Sequence, residues 1–238
     1  VSQQMSKFWV RLLTAELGAD LPIYKQLVFR MNGSVMDWWQ GKRVLITGHS
    51  GFKGSWMSIW LNRLGAQVFG LSLKPKFKDD LFSVANVASL CEKSVFGDIL
   101  DFELVRNIVG ECQPDVVFHM AAQPLVRESY YNPRETFNTN VIGTVNLLDA
   151  FKNVRKKVAV VVVTTDKVYR NTSEGLAFTE SDILGGDDPY SASKAAAELV
   201  VDSYRASFFR DTSVRVASAR AGNVVGGGDW SDDRLIPD

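Results

Sequence analysis

The sequence predicts an α/β fold with a doubly wound parallel sheet. From Lys42 onward, short apolar runs alternate with longer segments of helical periodicity, a pattern typical of a parallel sheet with helices on both faces. The most apolar run, Val158 to Val163, has the length of a buried parallel strand. A glycine-rich turn follows the first predicted strand and precedes a predicted helix, so the fold is expected to be of the Rossmann type.

The elements follow one another in regular order. Strands are predicted at about residues 43–47, 67–72, 94–96, 115–119, 157–164 and 214–220, and helices at about 54–64, 101–111, 134–152 and 189–209. In such a sheet the ligand lies in the crevice beyond the carboxyl ends of the strands. We therefore expect the chemistry in the residues that directly follow each apolar run.

The two ends of the chain fit this alternation poorly. Residues 1–33 form amphipathic segments before the first strand, and they are predicted to be an N-terminal extension of unknown role. Residues 34–238 are predicted to form one dinucleotide-binding domain. The last residues, Leu235 to Asp238, come directly after a glycine-rich loop, so we expect the domain to be truncated there.

Composition argues against several classes of partner. Lys plus Arg and Asp plus Glu both number 27, so no basic surplus is available for nucleic acid. No stretch reaches the roughly 18 apolar residues of a membrane span, and no signal-peptide pattern is present. Cys91 and Cys112 lack a CxxC spacing and His49 and His119 are the only histidines, so neither a disulfide framework nor a metal site is predicted. A reducing cytoplasm fits this composition.

The first predicted strand leads into Gly48-His49-Ser50-Gly51-Phe52-Lys53-Gly54. Glycines at this spacing let the backbone approach a pyrophosphate and place a helix N-terminus against its charge. The GxxGxxG spacing favours the type of nucleotide site found in short-chain dehydrogenases over the type found in medium-chain dehydrogenases. Gly48, Gly51, Phe52, Lys53 and Gly54 are accordingly predicted to bind a cofactor, the alternative being a tight connection between strand and helix.

The ends of the second and third strands are less decisive. After the second strand, Ser72-Leu73-Lys74 lacks the acidic residue that would grip a ribose 2′-hydroxyl, which leaves NAD and NADP both open. Asp98 and Ile99 follow the third strand and are predicted to hold the adenine. The alternative role for Asp98 is that of a helix cap.

Small residues follow the fourth strand. Ala121, Ala122 and Gln123 would let the backbone pass close beneath a flat cofactor, although plain helix packing explains them equally well. His119, at the end of the strand, is interpreted as a core histidine or as a residue that supports the site.

The strongest signal joins Thr165, after the fifth strand, to Tyr190 and Lys194 in the following helix. Tyrosine titrates near 10, so as a base it needs help, and a lysine four residues on shares its helix face and can stabilise the phenolate. A hydroxyl such as that of Thr165 would steady the reacting oxygen. A YxxxK pair alone is often an ordinary exposed pair, and its position after the fifth strand favours catalysis.

Together these segments resemble the extended short-chain dehydrogenase/reductase family and, within it, the CDP-glucose 4,6-dehydratases. The resemblance runs from about Trp39 to Asp238. It rests on six segments, Gly41 to Arg43, Thr47 to Trp56, His119 to Arg127, Thr165 to Lys167, Tyr190 to Lys194 and Arg220 to Trp230.

The resemblance implies NAD as cofactor and an internal redox reaction in the synthesis of deoxysugar and O-antigen precursors. Tyr190 would take the proton of the sugar 4-hydroxyl as hydride passes to NAD+, and water would then leave from carbon 6. Asp166 would protonate the leaving hydroxyl before hydride returns to carbon 6. Lys167 stands where the dTDP-glucose dehydratases have glutamate. It would be the base at carbon 5, a group that steadies the enolate, or a surface lysine.

The resemblance also implies substrate contacts from Gln123, Arg127 and Asn223, a C-terminal substrate lobe that is missing here, and a homo-oligomer for the full-length protein. We expect a chain without that lobe to bind NAD and to turn over CDP-glucose poorly or not at all. The alternatives are another sugar-nucleotide 4,6-dehydratase or 4-epimerase, and a non-catalytic dinucleotide-binding protein. Asp166 favours dehydration, and the intact Thr165, Tyr190 and Lys194 argue against a non-catalytic role.

Overall fold

The computed structural model describes residues 37–171, 175 and 177–231. The predicted extension at 1–33 and the chain end at Leu235 to Asp238 lie outside these residues, so the predictions made for them stay predictions. Contacts divide the chain into two units, 1–40 and 41–238, and the fold below is that of the second unit.

One parallel sheet forms the centre of this unit. Its strand order is β3-β2-β1-β4-β5-β6, the order of a doubly wound Rossmann-type sheet, so the predicted fold class is confirmed. The strands of the described residues are β1 (Arg43–Thr47), β2 (Gln67–Ser72), β3 (Lys93–Phe96), β4 (Val116–His119), β5 (Val158–Val163) and β6 (Val214–Ala219).

The strands occupy the apolar runs because their side chains are buried. Val44, Leu45 and Ile46 of β1 have no exposed surface. In β5 every residue is Val or Ala, a composition that suits a strand with neighbours on both sides. Val160 pairs with Val117 of β4 and with Val216 of β6, so β5 is a central strand.

The predicted helices are present, and the structure adds short ones. The helices of the described residues are α1 (Phe52–Arg63), α2 (Leu81–Val84), α3 (Phe102–Cys112), α4 (Val126–Tyr131), α5 (Pro133–Phe137), α6 (Gly143–Ala150) and α7 (Pro189–Ser207), with 3₁₀ turns at Val87–Leu90 and Asp166–Val168. The prediction missed α2 and α4, which are too short to show a helical period. The Asp80 carboxylate, which accepts a hydrogen bond from Ser83 N at 2.8 Å, starts α2.

The helix predicted over 134–152 contains an irregular turn. Helical structure is continuous from Pro133 to Ala150, but Asn138–Ile142 forms a π-helical turn between α5 and α6. Single π turns often occur at functional sites because they redirect a side chain. Here the redirected residue is Asn140, which is 1% exposed and faces the loop that follows β4.

The main core lies between the sheet and helices α3, α6 and α7. Its centre consists of Leu45, Val117, Val160, Val105, Val109, Leu147, Leu148, Phe151 and Val201. Cys112 is buried in the same cluster, and burial raises the pKa of its thiol to about 12. Among the residues described, no helix is long and apolar enough to cross a membrane.

Candidate active site

The candidate site lies where the strand order reverses. β1 and β4 are neighbours, but the chain leaves β1 toward β2 and leaves β4 toward β5. The connections on the two sides therefore diverge, and a crevice opens between them at the carboxyl ends of the strands. Most of the predicted site residues follow strands at this edge, whereas Tyr190 and Lys194 lie near the start of α7.

The glycine-rich turn is packed so closely that side chains are excluded from it. Gly48 has φ +77°, and a Cβ there would lie 2.7 Å from Ala121 N. A Cβ at Gly54 would lie 2.1 Å from Gly48 O. Gly51 N donates to Gly48 O at 3.0 Å, and no side chain caps the N-terminus of α1. The turn therefore presents bare backbone to the crevice, as an anionic diphosphate requires.

His49 fixes this turn to the neighbouring strands. Its Nδ1 lies 2.9 Å from Ser72 Oγ and its Nε2 lies 2.7 Å from Ser94 Oγ. The ring fills the space above Gly70, where a Cβ would lie 2.2 Å from His49 Cδ2. Burial lowers the pKa of His49 to about 4, against a small opposing effect of a hydrogen bond to the Leu71 backbone. His49 is therefore a neutral structural residue.

His119 joins β1, β4 and α6 through a directed chain of hydrogen bonds. Thr144 Oγ1 donates to Asn140 O at 2.7 Å, so it accepts from His119 Nε2 at 3.2 Å. Nδ1 is then the acceptor from Thr47 Oγ1 at 2.7 Å. Burial, with a smaller contribution from Lys194, lowers the pKa of His119 to about 3. The interpretation of His119 as a core histidine is consistent with this position.

Hydrogen bonds from Asn140 in the π-helical turn fix the loop after β4. Asn140 Oδ1 accepts from Gln123 N at 2.9 Å, and Asn140 Nδ2 donates to Gln123 O at 3.1 Å and to Ser193 Oγ at 2.8 Å. The Gln123 amide is engaged within its own loop, because Nε2 donates to Thr136 Oγ1 at 2.8 Å and Oε1 accepts from Leu125 N at 2.6 Å. Both ends of the Gln123 amide are therefore engaged within the protein, so this side chain holds the shape of the loop.

Asp98 and Ile99 lie in the turn after β3. Asp98 is exposed, and its Oδ1 accepts from Leu100 N at 2.9 Å. The N-cap of α3 is Asp101, whose Oδ1 accepts from Leu104 N at 3.0 Å. Asp98 therefore shapes the turn without capping the helix. Ile99 is 5% exposed and packs on Gly143, where a Cβ would lie 2.8 Å from Ile99 Cγ2.

The start of α7 positions Tyr190 and Lys194. Asp188 is the N-cap, with Oδ1 accepting from Ser191 N at 2.9 Å, and Pro189 occupies the first turn. Ser129 Oγ accepts from Tyr190 N at 3.2 Å. Four residues on, Lys194 shares the face of Tyr190, and its Nζ donates to Val163 O of β5 at 3.2 Å. Both side chains are buried.

The charge on Lys194 is poised near neutral pH. Burial and the nearby Lys53 lower its pKa to about 8, while Glu198 opposes them. A lysine with this pKa carries its charge at neutral pH. It loses its proton at a pH closer to neutral than an exposed lysine does. A buried lysine with this pKa can stabilise a nearby phenolate, and the catalytic role of Lys194 stays a prediction.

Thr165, Asp166 and Lys167 form the turn that ends β5. Thr165 Oγ1 donates to Asp166 Oδ1 at 3.0 Å, and Lys167 N donates to Thr165 Oγ1 at 3.4 Å. Asp166 N donates to Ala221 O at 3.0 Å, which ties this turn to the segment after β6. The side chains of Asp166 and Lys167 are exposed, so the protein leaves them open to a ligand.

Arg127 and Asn223 are exposed on α4 and on the loop after β6. In the described part of the chain, no group of three His, Cys, Asp or Glu side chains is arranged to hold a metal ion. Asn140 and Glu198 were not predicted as site residues. For Glu198 the available signal was its spacing, because it lies four residues after Lys194 and shares its buried face.

Comparison with known proteins settles the family. The family model described as GDP-mannose 4,6 dehydratase matches residues 45–225. The chain belongs to this family. Its relatives include a CDP-glucose 4,6-dehydratase of Salmonella typhimurium, 52% identical over 85% of this chain and 57% of the relative. A dTDP-D-glucose 4,6-dehydratase of Dictyostelium discoideum is 32% identical over 82% of this chain and 46% of the relative.

Solved structures agree with membership of the GDP-mannose 4,6 dehydratase family. An epimerase, Mth375, of Methanothermobacter thermautotrophicus superposes with a TM-score of 0.73 at 26% identity, over 88% of this chain and 60% of that one. A UDP-glucose 4-epimerase of Brucella ovis in complex with NAD gives a TM-score of 0.65 at 25% identity, over 77% of this chain and 52% of that one. The chain thus spans about half the length of the relatives it matches.

Proposed function

We propose that this chain is the cofactor-binding part of an enzyme that dehydrates CDP-D-glucose to CDP-4-keto-6-deoxy-D-glucose. The observation that carries the proposal is the arrangement at the end of β5. There Lys194 bonds to Val163 O, and the exposed Asp166 and Lys167 follow at the same sheet edge. The 52% identity to the Salmonella CDP-glucose 4,6-dehydratase supports the choice of sugar nucleotide.

NAD fits the crevice. Gly48 and Gly54 leave no room for a Cβ, and the N-terminus of α1 has no side-chain cap, so a diphosphate can approach the backbone closely. The loop from Ala121 to Gln123 offers a flat floor held by Asn140. When bound, NAD supplies the hydride acceptor for oxidation at carbon 4 and the donor for reduction at carbon 6.

The residues of this chain divide the proton transfers between them. Tyr190 accepts the proton of the 4-hydroxyl, and the buried charge of Lys194 stabilises the phenolate form that makes this possible. Asp166 donates a proton to the 6-hydroxyl as it leaves as water. Lys167, exposed beside it, has two possible roles. As a neutral amine it takes the proton that carbon 5 loses, or as an ammonium it stabilises the enolate while another base takes that proton. Thr165 orients the reacting oxygen.

Arg127 and Asn223 are the residues proposed to contact the substrate. Gln123 shapes the loop that would lie between substrate and cofactor. Both Arg127 and Asn223 are exposed, as side chains that meet a second ligand should be. A 4-epimerase is the main alternative, because such enzymes are among the structural neighbours. Asp166, a carboxyl group able to protonate a leaving hydroxyl, favours dehydration.

The test is direct. Because this chain covers 57% of the Salmonella relative, the assay uses the full-length protein. That protein is incubated with CDP-glucose and NAD, and alkali-induced absorbance reports a 4-keto sugar. A dehydratase produces this signal with loss of the 6-hydroxyl, which mass spectrometry detects as the loss of one water. An epimerase yields CDP-galactose of unchanged mass, and a non-catalytic binding protein yields no change. Either of these two results overturns the proposal.

We also propose a homo-oligomer. Tyr130 and Tyr131 of α4 and Leu199 of α7 are 64%, 79% and 60% exposed, and α4 packs against α7. Exposed apolar side chains on adjacent helices mark interaction surfaces, and a second copy of the chain is the proposed occupant. Light scattering should give the mass of a dimer or larger assembly, and Leu199→Glu should reduce it to that of the monomer.

The cytoplasm is the proposed location. Cys91 and Cys112 are free thiols, which is the ordinary state in a reducing compartment. Cell fractionation followed by immunodetection would test this, and recovery of the protein outside the cytoplasm would contradict it.

A further inference from the structure

The loop after β6 does not stay beside its own strand. Its glycines, Gly226–Gly228, lie against the first two turns of α1 and against α2, and we call these three residues the glycine strap. Trp56 Nε1 donates a hydrogen bond to Gly227 O at 3.0 Å. This bond joins residues 171 positions apart in sequence, so it fixes the far end of the loop to the helix that begins at the glycine-rich turn.

Close contacts explain glycine at two of the three strap positions, whereas a Cβ at Gly227 would have no heavy atom within 4 Å. A Cβ at Gly226 would lie 3.0 Å from Phe52 Cζ, and a Cβ at Gly228 would lie 2.7 Å from Leu81 Cβ. Gly228 also has φ +85°, a conformation that other residues adopt at a cost. The strap is therefore fitted to the surfaces of α1 and α2.

Topology makes this contact a bridge over the crevice. The loop leaves β6 at one edge of the sheet, whereas α1 follows β1, three strands away in the order β1-β4-β5-β6. Three strand spacings amount to about 14 Å. Seven residues, Arg220 to Gly226, cover the distance, and at full extension they reach about 25 Å. The loop thus crosses the ends of β5 and β4, above the place proposed for the cofactor.

We propose that the glycine strap retains NAD in the crevice and that Trp56 is the residue that latches it. The inference rests on the proposed function, in which the cofactor is oxidised and reduced within one catalytic cycle and gains from staying bound. The latch consists of one hydrogen bond, from Trp56 to Gly227, and one ring contact, between Phe52 and Gly226. Because these two interactions are weak, the latch opens spontaneously and lets the cofactor enter. Phe52, under Gly226, supplies the apolar half of the latch.

The experiment measures the release of NADH, which is fluorescent, from the protein in stopped flow after a chase with excess NAD+. Trp56→Phe keeps a ring on α1 and removes the N–H donor. Trp60→Phe is the matched control, because Trp60 lies one turn further along α1 and is 54% exposed. Losing a single hydrogen bond predicts a release rate about 3- to 10-fold faster for Trp56→Phe, with Trp60→Phe equal to the unaltered protein.

A second variant reaches the strap from its other side. Gly226→Val pushes the strap off the Phe52 ring and should accelerate release at least as much, while circular dichroism reports an unchanged fold. Equal release rates for Trp56→Phe, Gly226→Val and the unaltered protein would overturn the latch and leave the proposed function standing. Failure of the unaltered protein to bind NADH at all would overturn the proposed function, and the role of the strap with it.

Discussion

Glu198 lies one helical turn after Lys194 on α7, and its carboxylate is bound by groups from two strands. Thr164 Oγ1 and Ser218 Oγ each donate to it at 2.6 Å, and Arg220 Nε donates at 3.0 Å. Burial pushes the pKa of Glu198 up, but the bonds from Arg220, Ser218 and Thr164 outweigh it and lower the pKa. The helix that carries Tyr190 is thereby locked to the ends of β5 and β6.

Removing this carboxylate should destabilise the fold. Glu198 is 2% exposed, and Glu198→Ala leaves Arg220, whose side chain is 17% exposed, without its carboxylate partner, although its bonds to Tyr169 and to Glu180 O remain. We therefore expect a loss of about 3–5 kcal/mol in the free energy of unfolding. Urea denaturation measures it. Glu103→Ala is the control, because the Glu103–Arg106 pair is exposed and is worth about 0–1 kcal/mol. Equal losses in the two variants would show that the Glu198 cluster contributes no more than a surface ion pair.

Tyr190→Phe should stop the first step of the reaction. The ring still packs at the start of α7, but no oxygen accepts the proton of the 4-hydroxyl, and general-base catalysis of this kind contributes about 10²- to 10⁴-fold in rate. In the full-length protein turnover should fall by about that factor, while the dissociation constant for NAD, measured by calorimetric titration, changes little. Normal turnover by this variant would remove Tyr190 from the mechanism.

Asp166→Asn should affect the loss of water more than the oxidation at carbon 4, since the carboxyl group acts only after the ketone has formed. In a single turnover the absorbance of reduced cofactor should rise at close to the normal rate and then persist. With the unaltered protein it should rise and decay. If both phases slowed by the same factor, Asp166 would organise the whole site through its bond to Thr165 and would not be a specific acid.

Two buried histidines predict a loss of stability in mild acid. The folded pKa values of His49 and His119 are about 4 and about 3, below the ordinary 6.5. Above pH 6.5 both groups are neutral in the folded and unfolded chain, and their contribution to stability is complete. As pH falls below 6.5, these histidines bind protons in the unfolded chain but stay neutral in the folded protein. The free energy of unfolding therefore decreases until the pH reaches the folded pKa values.

The size of this effect follows from the same shifts. Each histidine changes the free energy of unfolding by at most about 1.4 kcal/mol per pH unit, and by about half of that near pH 6.5, where the unfolded side chain is half protonated. The two together should therefore cost about 3 kcal/mol between pH 6.5 and 5. Carboxylates with lowered pKa, Asp115 and Glu198, contribute only at lower pH. Urea denaturation across this range provides the measurement. His119→Gln should halve the slope, and an unchanged slope would mean that His119 is not the group that titrates.

The sequence predicted the doubly wound parallel sheet and the long helices because burial and periodicity repeat over many residues. It predicted the glycine-rich turn because tight backbone packing at Gly48 and Gly54 admits only one residue type. It could not predict the π-helical turn at Asn140, which depends on a partner loop at Gln123. The bond from Trp56 to Gly227 spans most of the domain and has no local signature.

The contact between His49 and Gly70 constrains two distant positions as a unit. The imidazole fills the volume that a side chain at 70 would need, and its two nitrogens reach serines on β2 and β3. If residue 70 gains even a methyl group while His49 is still present, the two side chains clash and the glycine-rich turn is distorted. A substitution at position 70 therefore requires that a smaller residue first replaces His49. The two codons are therefore expected to change together when sequences of this family diverge.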